Sequence, residues 1–448
     1  MPDTTITAIR GRRVWDSRGR PTVEAEIHLA CGAIGRAIAP AGASRGSREA
    51  IDLRDGGAAF GGMGVANAVA NINGAIAKEL LGLDATQQSD VDQHIISLDG
   101  TANKAQLGGN AAIAVSMAVL QSAAAAHGEP LYRYLSAGQR TRIPLPEIQI
   151  FGGGAHAGRR VDIQDFMVMA LSAQSFDEAL IMTAEVYRAA GALMQERGLL
   201  QGVADEGGYW PAFTSNEQAL EMLVRAIERA GYVAGDEVAI SLDIAASEFR
   251  RDGRYRLGLD SRDMDSDGLA QMLLDWLDRF PIVSIEDPMA EDDAEGMTRF
   301  TRAAGDKVQI IGDDYLVTNA QLVENAAHDG ACNAVLIKPN QAGTITETKA
   351  ALDAGQRLGF GTIVSARSGE SEDVTIVHLA TGWNAGQLKV GSFARSERMA
   401  KWNEALRIEE QLGGAAQFAG RDALARSSSV TAVIQGRRPA PAGDGPAT

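Results

Sequence analysis

The chain has 448 residues, a formal charge of −16 and no long basic block, a balance that argues against nucleic acid as a partner. Local arginines or a bound metal can still attract a small anionic ligand against that global field. Apolar residues make up 45% and aromatics 5%, against 50 glycines, which favours many tight strand–helix junctions around a large core over an all-β sandwich.

The opening MPDTTITAIRG lacks an apolar signal core, so the expectation is a cytoplasmic protein with no membrane partner. Residues 5–40 alternate apolar and polar, as in TVEAEIHLA (22–30), and predict antiparallel strands with turns near Ser17–Gly19 and Cys31–Gly32. Cys31 and Cys332 stand far apart, without metal-ligand spacing, and suit a reducing compartment. From 64 to 135 apolar residues recur at three- and four-residue steps, so the first 138 residues read as an α+β domain. AAIAVSMAVLQSAAAA (111–126) predicts a packed helix and not a membrane span. QRTRIPLP (139–146) reads as a linker. The character then changes, and 147–435 reads as a second domain in which short apolar strands alternate with helical stretches. The strands are IVSIEDP (282–288), VQIIGDDY (308–315), AVLIKPN (334–340), GTIVSARSG (361–369) and LKVGSF (388–393). That rhythm predicts βα units in a parallel sheet, closed as a barrel or doubly wound. The Pro-, Ala- and Gly-rich 436–448 predicts a disordered tail.

Four strands end in one ionisable residue each: Asp243 in AISLDIAA, Glu286, Asp313 and Lys338. A single acid there commonly caps the following helix. Three at successive strand ends converge in a barrel mouth, and hard carboxylate oxygens suit Mg²⁺. Lys338, after four apolar residues, is a candidate base if burial and a nearby cation lower its pKa. Glu206, in the turn VADEGG, is a candidate acid opposite it, and the set suits proton abstraction beside a carboxylate. FGGGAHAGRR (151–160) lacks the Walker lysine and reads as a loop carrying His156; AGASRGSRE (41–49) reads as a second loop.

Taken in order, DSRGRPTVE (16–24), SLDGTANKAQLGGNA (97–111), DEGG (205–208), SIEDP (284–288), GDDYLVTN (312–319), KPNQAGT (338–344), SARSGESED (365–373) and ARSER (394–398) resemble the signatures of enolase. The resemblance implies an α/β fold, an enolase-like (β/α)8 barrel opened by an irregular ββαα unit, with an N-terminal α+β capping domain. It implies Mg²⁺ on Asp243, Glu286 and Asp313, Lys338 as the base at C2 of 2-phosphoglycerate, and Glu206 as the acid that helps expel the C3 hydroxyl. His156 and Asp165 stand with them as catalytic candidates. Arg367 and Ser368 match the phosphate-binding pair and Lys389 the lysine on the carboxylate side. A homodimer or a ring of dimers is the family's usual state.

Departures from the pattern suggest a specialised member. Ala366 stands where enolases place a histidine. Ala41 is read at the position of a serine that ligates a second Mg²⁺, so one firm metal site is expected. Asp165 replaces a glutamate, retracting a carboxylate by ~1.5 Å. Arg45, Arg159 and Arg160 add positive charge to the two loops, and Tyr209 and Trp210 follow the DEGG turn. A larger, more anionic, nucleotide-activated phosphonate would match these changes. The specific expectation is therefore a carboxyphosphonoenolpyruvate synthase-like enzyme, joining a carboxyphosphono group from cytidylyl-activated phosphonoformate to an enolpyruvate unit. The alternatives are an ordinary enolase and a non-catalytic scaffold.

Overall fold

The computed structural model describes residues 2–435; the predicted tail, 436–448, lies outside the described residues. Three antiparallel strands, β1 (Ile6–Trp15), β2 (Pro21–Leu29) and β3 (Ile34–Ile38), form a meander. Its inner face packs on the helix Gly109–His127, the apolar run 111–126 of the sequence. That helix alone, among the described residues, is long and apolar enough to cross a membrane, and it lies buried in the core. Gly35 lets β3 approach it: a Cβ there would lie 2.1 Å from the Ala118 carbonyl oxygen.

The remainder is a closed barrel of eight strands: β4 (Leu145–Gly152), β5 (Asp165–Ala170), β6 (Val238–Asp243), β7 (Ile282–Glu286), β8 (Gln309–Gly312), β9 (Ala334–Ile337), β10 (Gly361–Ser365) and β11 (Gly386–Ser392). Pairing of β11 with β4 closes it, which decides between the barrel and the open sheet. β5 runs antiparallel to both its neighbours and is followed by two helices, Phe176–Glu196 and Asn216–Arg229, before β6. This is the irregular ββαα opening. Helices on the outside and side chains within bury most barrel strands on both faces, so they read as nearly continuous apolar runs. β4 begins at Leu145, inside the segment read as a linker: Pro146, the second residue of the strand, pairs with Leu388. A proline is tolerated at a strand start, where its missing N–H matters least.

Candidate active site

Every barrel strand except β5 delivers its C-terminal end to one mouth, and β5 brings its first residue there. Register places Asp165 opposite Asp243 and Asp243 beside Glu286. Asp313 and Lys338 follow β8 and β9 directly, and Lys389 lies on β11 opposite Ser365. Loops that close over this mouth carry Ser44, His156 and Glu206 into it.

On the metal side, Asp243, Glu286 and Asp313 are all buried. Lys389 Nζ reaches between two of them, 2.9 Å from Asp243 Oδ2 and 2.7 Å from Glu286 Oε2. Lys338 Nζ donates to Asp313 Oδ2. Glu286, 0% exposed, keeps Oε1 without a partner. Burial raises the Asp243 carboxyl, but Lys389 outweighs it and leaves the group at about 2. Burial and the neighbouring Asp243 push Glu286 well above the usual range. Three hard carboxylates, an orphaned oxygen and two ammonium groups drawn in as counter-charge fit a divalent cation bound by oxygen. Burial alone would lower the Lys338 pKa, but Asp313 and Glu286 outweigh it and raise the amine above its ordinary value.

Across the mouth, His156, Asp165 and Glu206 each offer a ligand or proton-carrying atom within 4.8 Å of the others. His156 Nε2 lies 3.7 Å from Glu206 Oε1, and its Nδ1 lies 3.1 Å from Ser368 Oγ. Gln149 donates to Asp165 Oδ1 and fixes that carboxyl. Burial raises Asp165 to about 6. Burial also raises Glu206, but His156, Arg398 and the two lysines outweigh it and leave the group below its ordinary value. Burial thus holds the Asp165 carboxyl up while the surrounding cations hold Glu206 down.

The anion side is built on the turn after β10. Arg367 forks onto Glu49 (Nη1 to Oε2 3.1 Å, Nη2 to Oε1 3.2 Å) and also donates to the Ser44 carbonyl (3.0 Å) and Asn340 Oδ1 (3.0 Å). Ser368 Oγ accepts from the Ala43 N–H at 3.3 Å. Arg398, missed as a site residue within ARSER, is wholly buried and ties this turn down through the carbonyls of Arg367 (2.7 Å), Val390 (2.8 Å) and Ser368 (2.5 Å).

Thus Lys338, Glu206, Asp165, His156, Arg367, Ser368, Lys389 and the three metal-side carboxylates come together. The added loop arginines do not. Arg45 is 53% exposed with its nearest acid Asp52 at 3.9 Å. Arg159 is 60% exposed and paired with Glu248, and Arg160 is also exposed. Tyr209 stacks on Tyr187 at 4.4 Å and stays outside the cavity lining. Ala41 exchanges backbone hydrogen bonds with Gly369, while Ser44, three residues on, lines the cavity. Ala366, 7% exposed, does line the cavity. A larger cavity, about 470 Å³, opens beside Cys332 at the opposite end of the barrel and lacks this convergence of charge.

Residues 6–135 match the family description "Enolase, N-terminal domain", and residues 140–427 match "Enolase, C-terminal TIM barrel domain". The chain belongs to the enolase family. Membership covers the capping meander, the barrel and every strand end that feeds the mouth, and it makes the chain an enolase-superfamily enzyme.

Proposed function

We propose that this enolase-family enzyme removes the proton α to the carboxylate of a small phosphorylated or phosphonylated acid, with Mg²⁺ on Asp243, Glu286 and Asp313. The observation that carries this is that Lys338 lines one cavity with Asp243 and with the His156–Asp165–Glu206 group. A divalent cation held by these carboxylates would supply positive charge beside the substrate carboxylate. Lys338, as the free amine, takes the C2 proton. The Asp165–Glu206 pair holds the proton that the departing C3 oxygen needs, with His156 orienting Glu206. Lys389 faces the substrate carboxylate, and Arg367 with Ser368 binds the phosphoryl or phosphonyl oxygens as fork and hydroxyl.

Ordinary enolase chemistry uses these groups, but with a glutamate at the position of Asp165. A second reading, carboxyphosphonoenolpyruvate synthesis, is favoured by Ala366, a small side chain in the cavity wall that leaves room beside Arg367. The outward arginines and the stacked Tyr209 no longer speak for that reading. One experiment separates the two: purified protein with Mg²⁺ and 2-phosphoglycerate, followed for phosphoenolpyruvate, beside phosphorus NMR of the same mixture with cytidylyl-activated phosphonoformate added. Phosphoenolpyruvate formation supports the hydratase. A new phosphorus resonance with release of cytidine monophosphate, and negligible hydration, supports the synthase. Neither product rejects both, and the proposal of α-proton abstraction then falls if Lys338→Ala also leaves C2 deuterium exchange unchanged.

A further inference from the structure

Two consecutive β-branched residues, Val317 and Thr318, adopt left-handed backbone with φ 43° and 51°. Such residues avoid this region, and strain of this kind persists where the surroundings over-determine it, often beside a functional site. Here the segment is pinned by the Asp313 carbonyl, which accepts from the N–H groups of Leu316 (3.0 Å) and Val317 (2.7 Å). What the distortion achieves is the placement of one hydroxyl. Thr318 Oγ1 accepts the backbone N–H of Lys338 at 2.9 Å and donates to Gln341 Oε1 at 2.6 Å.

That second bond settles the orientation of the Gln341 amide. Its Nε2 faces two carboxylates, Asp313 Oδ1 at 2.9 Å and Glu49 Oε1 at 3.2 Å. Ionised carboxylates only accept, so the donor end must point at them, and Thr318, whose oxygen already accepts from Lys338, must give its proton to the other end. Asp313 is left with Oδ2 for Lys338, and Glu49 with the remainder of its carboxylate for Arg367. The Gln341 carbonyl also accepts from the Ala50 N–H at 2.8 Å, so both backbone and side chain of this residue meet the capping loop. One buried amide thereby touches the loop over the mouth and a metal-side carboxylate, and it does so from the turn that begins with the base.

We infer that Gln341, oriented by Thr318, is a positioning residue that couples the capping loop 41–50 to Asp313. Through it, ordering of the loop and binding of the cation favour each other. The expected change in Mg²⁺ affinity rests on Asp243, Glu286 and Asp313 being the ligands proposed above, whereas the expected change in the loop does not.

The full-length chain carrying Gln341→Met, which keeps length but loses both ends of the amide, tests this. Calorimetry with Mg²⁺ alone should give a Kd about tenfold higher or more, the usual penalty for removing an outer partner of a ligand. Hydrogen exchange of the metal-free protein should show amides of 42–49 exchanging up to about tenfold faster, the equivalent of one lost hydrogen bond. Mg²⁺ should slow those amides in the natural chain and do so less in Gln341→Met. Thr318→Val, isosteric without the hydroxyl, should move both readouts the same way, and Thr318→Ser should restore them. If Gln341→Met does not fold, the Val and Ser pair reads the same two quantities. Unchanged Kd and loop exchange in a folded Gln341→Met overturns the inference, as does a Thr318→Ser as impaired as Thr318→Val. If the natural chain binds no Mg²⁺, the metal reading fails and loop exchange alone decides the coupling.

Discussion

Replacing Arg398 with methionine removes the support of the anion-binding turn without touching a group that meets the substrate. The guanidinium is fully buried and makes three hydrogen bonds, to the carbonyls of Arg367, Ser368 and Val390. Each bond from a charged donor is worth about 1.5–3 kcal/mol, and the Ser368 carbonyl keeps the Ser17 hydroxyl at 3.3 Å as a second donor. Because the three share one side chain they do not add fully, so the expected loss is about 3–6 kcal/mol. For a chain of this size about 1 °C of Tm accompanies each kcal/mol, giving a fall of roughly 3–6 °C. The turn should also lose its grip on anions, with inorganic phosphate bound about tenfold more weakly. Differential scanning calorimetry and phosphate titration read the two effects. Arg398→Lys should recover part of each, since an ammonium retains donors but not the planar fork. A methionine variant within about 1 °C of the natural Tm, with phosphate affinity intact, would refute the claim that Arg398 holds this turn.

Lys338→Ala should lower turnover by about 10³ or more and abolish exchange of the C2 proton with deuterium, read by proton NMR; exchange at the natural rate would remove Lys338 as the base. Ala366→His should fill the space beside Arg367. A loss of about tenfold or more in the phosphonate-dependent signal, with hydration unchanged or raised, is the outcome the synthase reading requires. Away from the site, Arg36, His28 and Arg12 hold the Glu26 carboxyl down at about 2 from an ordinary 4.5. A depressed carboxyl contributes stability that is present above pH 4.5 and is lost as pH falls toward 2, so urea midpoints should decline across that window and Glu26→Gln should flatten the decline. Equal slopes for both chains would exclude this cluster as the cause.

Among the elements, the strand ends were the most legible. Asp243, Glu286, Asp313 and Lys338 each follow a short apolar run, and a strand buried on both faces announces its own end when the run stops at a charge. Barrel closure came from the resemblance and not from periodicity, because β11 pairing with β4 joins segments more than two hundred residues apart and leaves no local trace. The loops divided in the same way. Composition marked 41–49 and 151–160 as loops, but which side chain turns inward depends on partners remote in the chain. Ser44 enters the mouth where Arg367, 323 residues on, takes its carbonyl, while Ala41 is held off by Gly369. Arg159 turns outward to Glu248, 89 residues away. The state of the base followed the same rule: burial of Lys338 was readable from its apolar approach, yet its proton is held by Asp313 across the neighbouring strand. Periodicity reports what the backbone does over a few residues. Side-chain direction and charge state in a loop are set by whichever distant group arrives to pair with them, and only the folded chain brings those groups together.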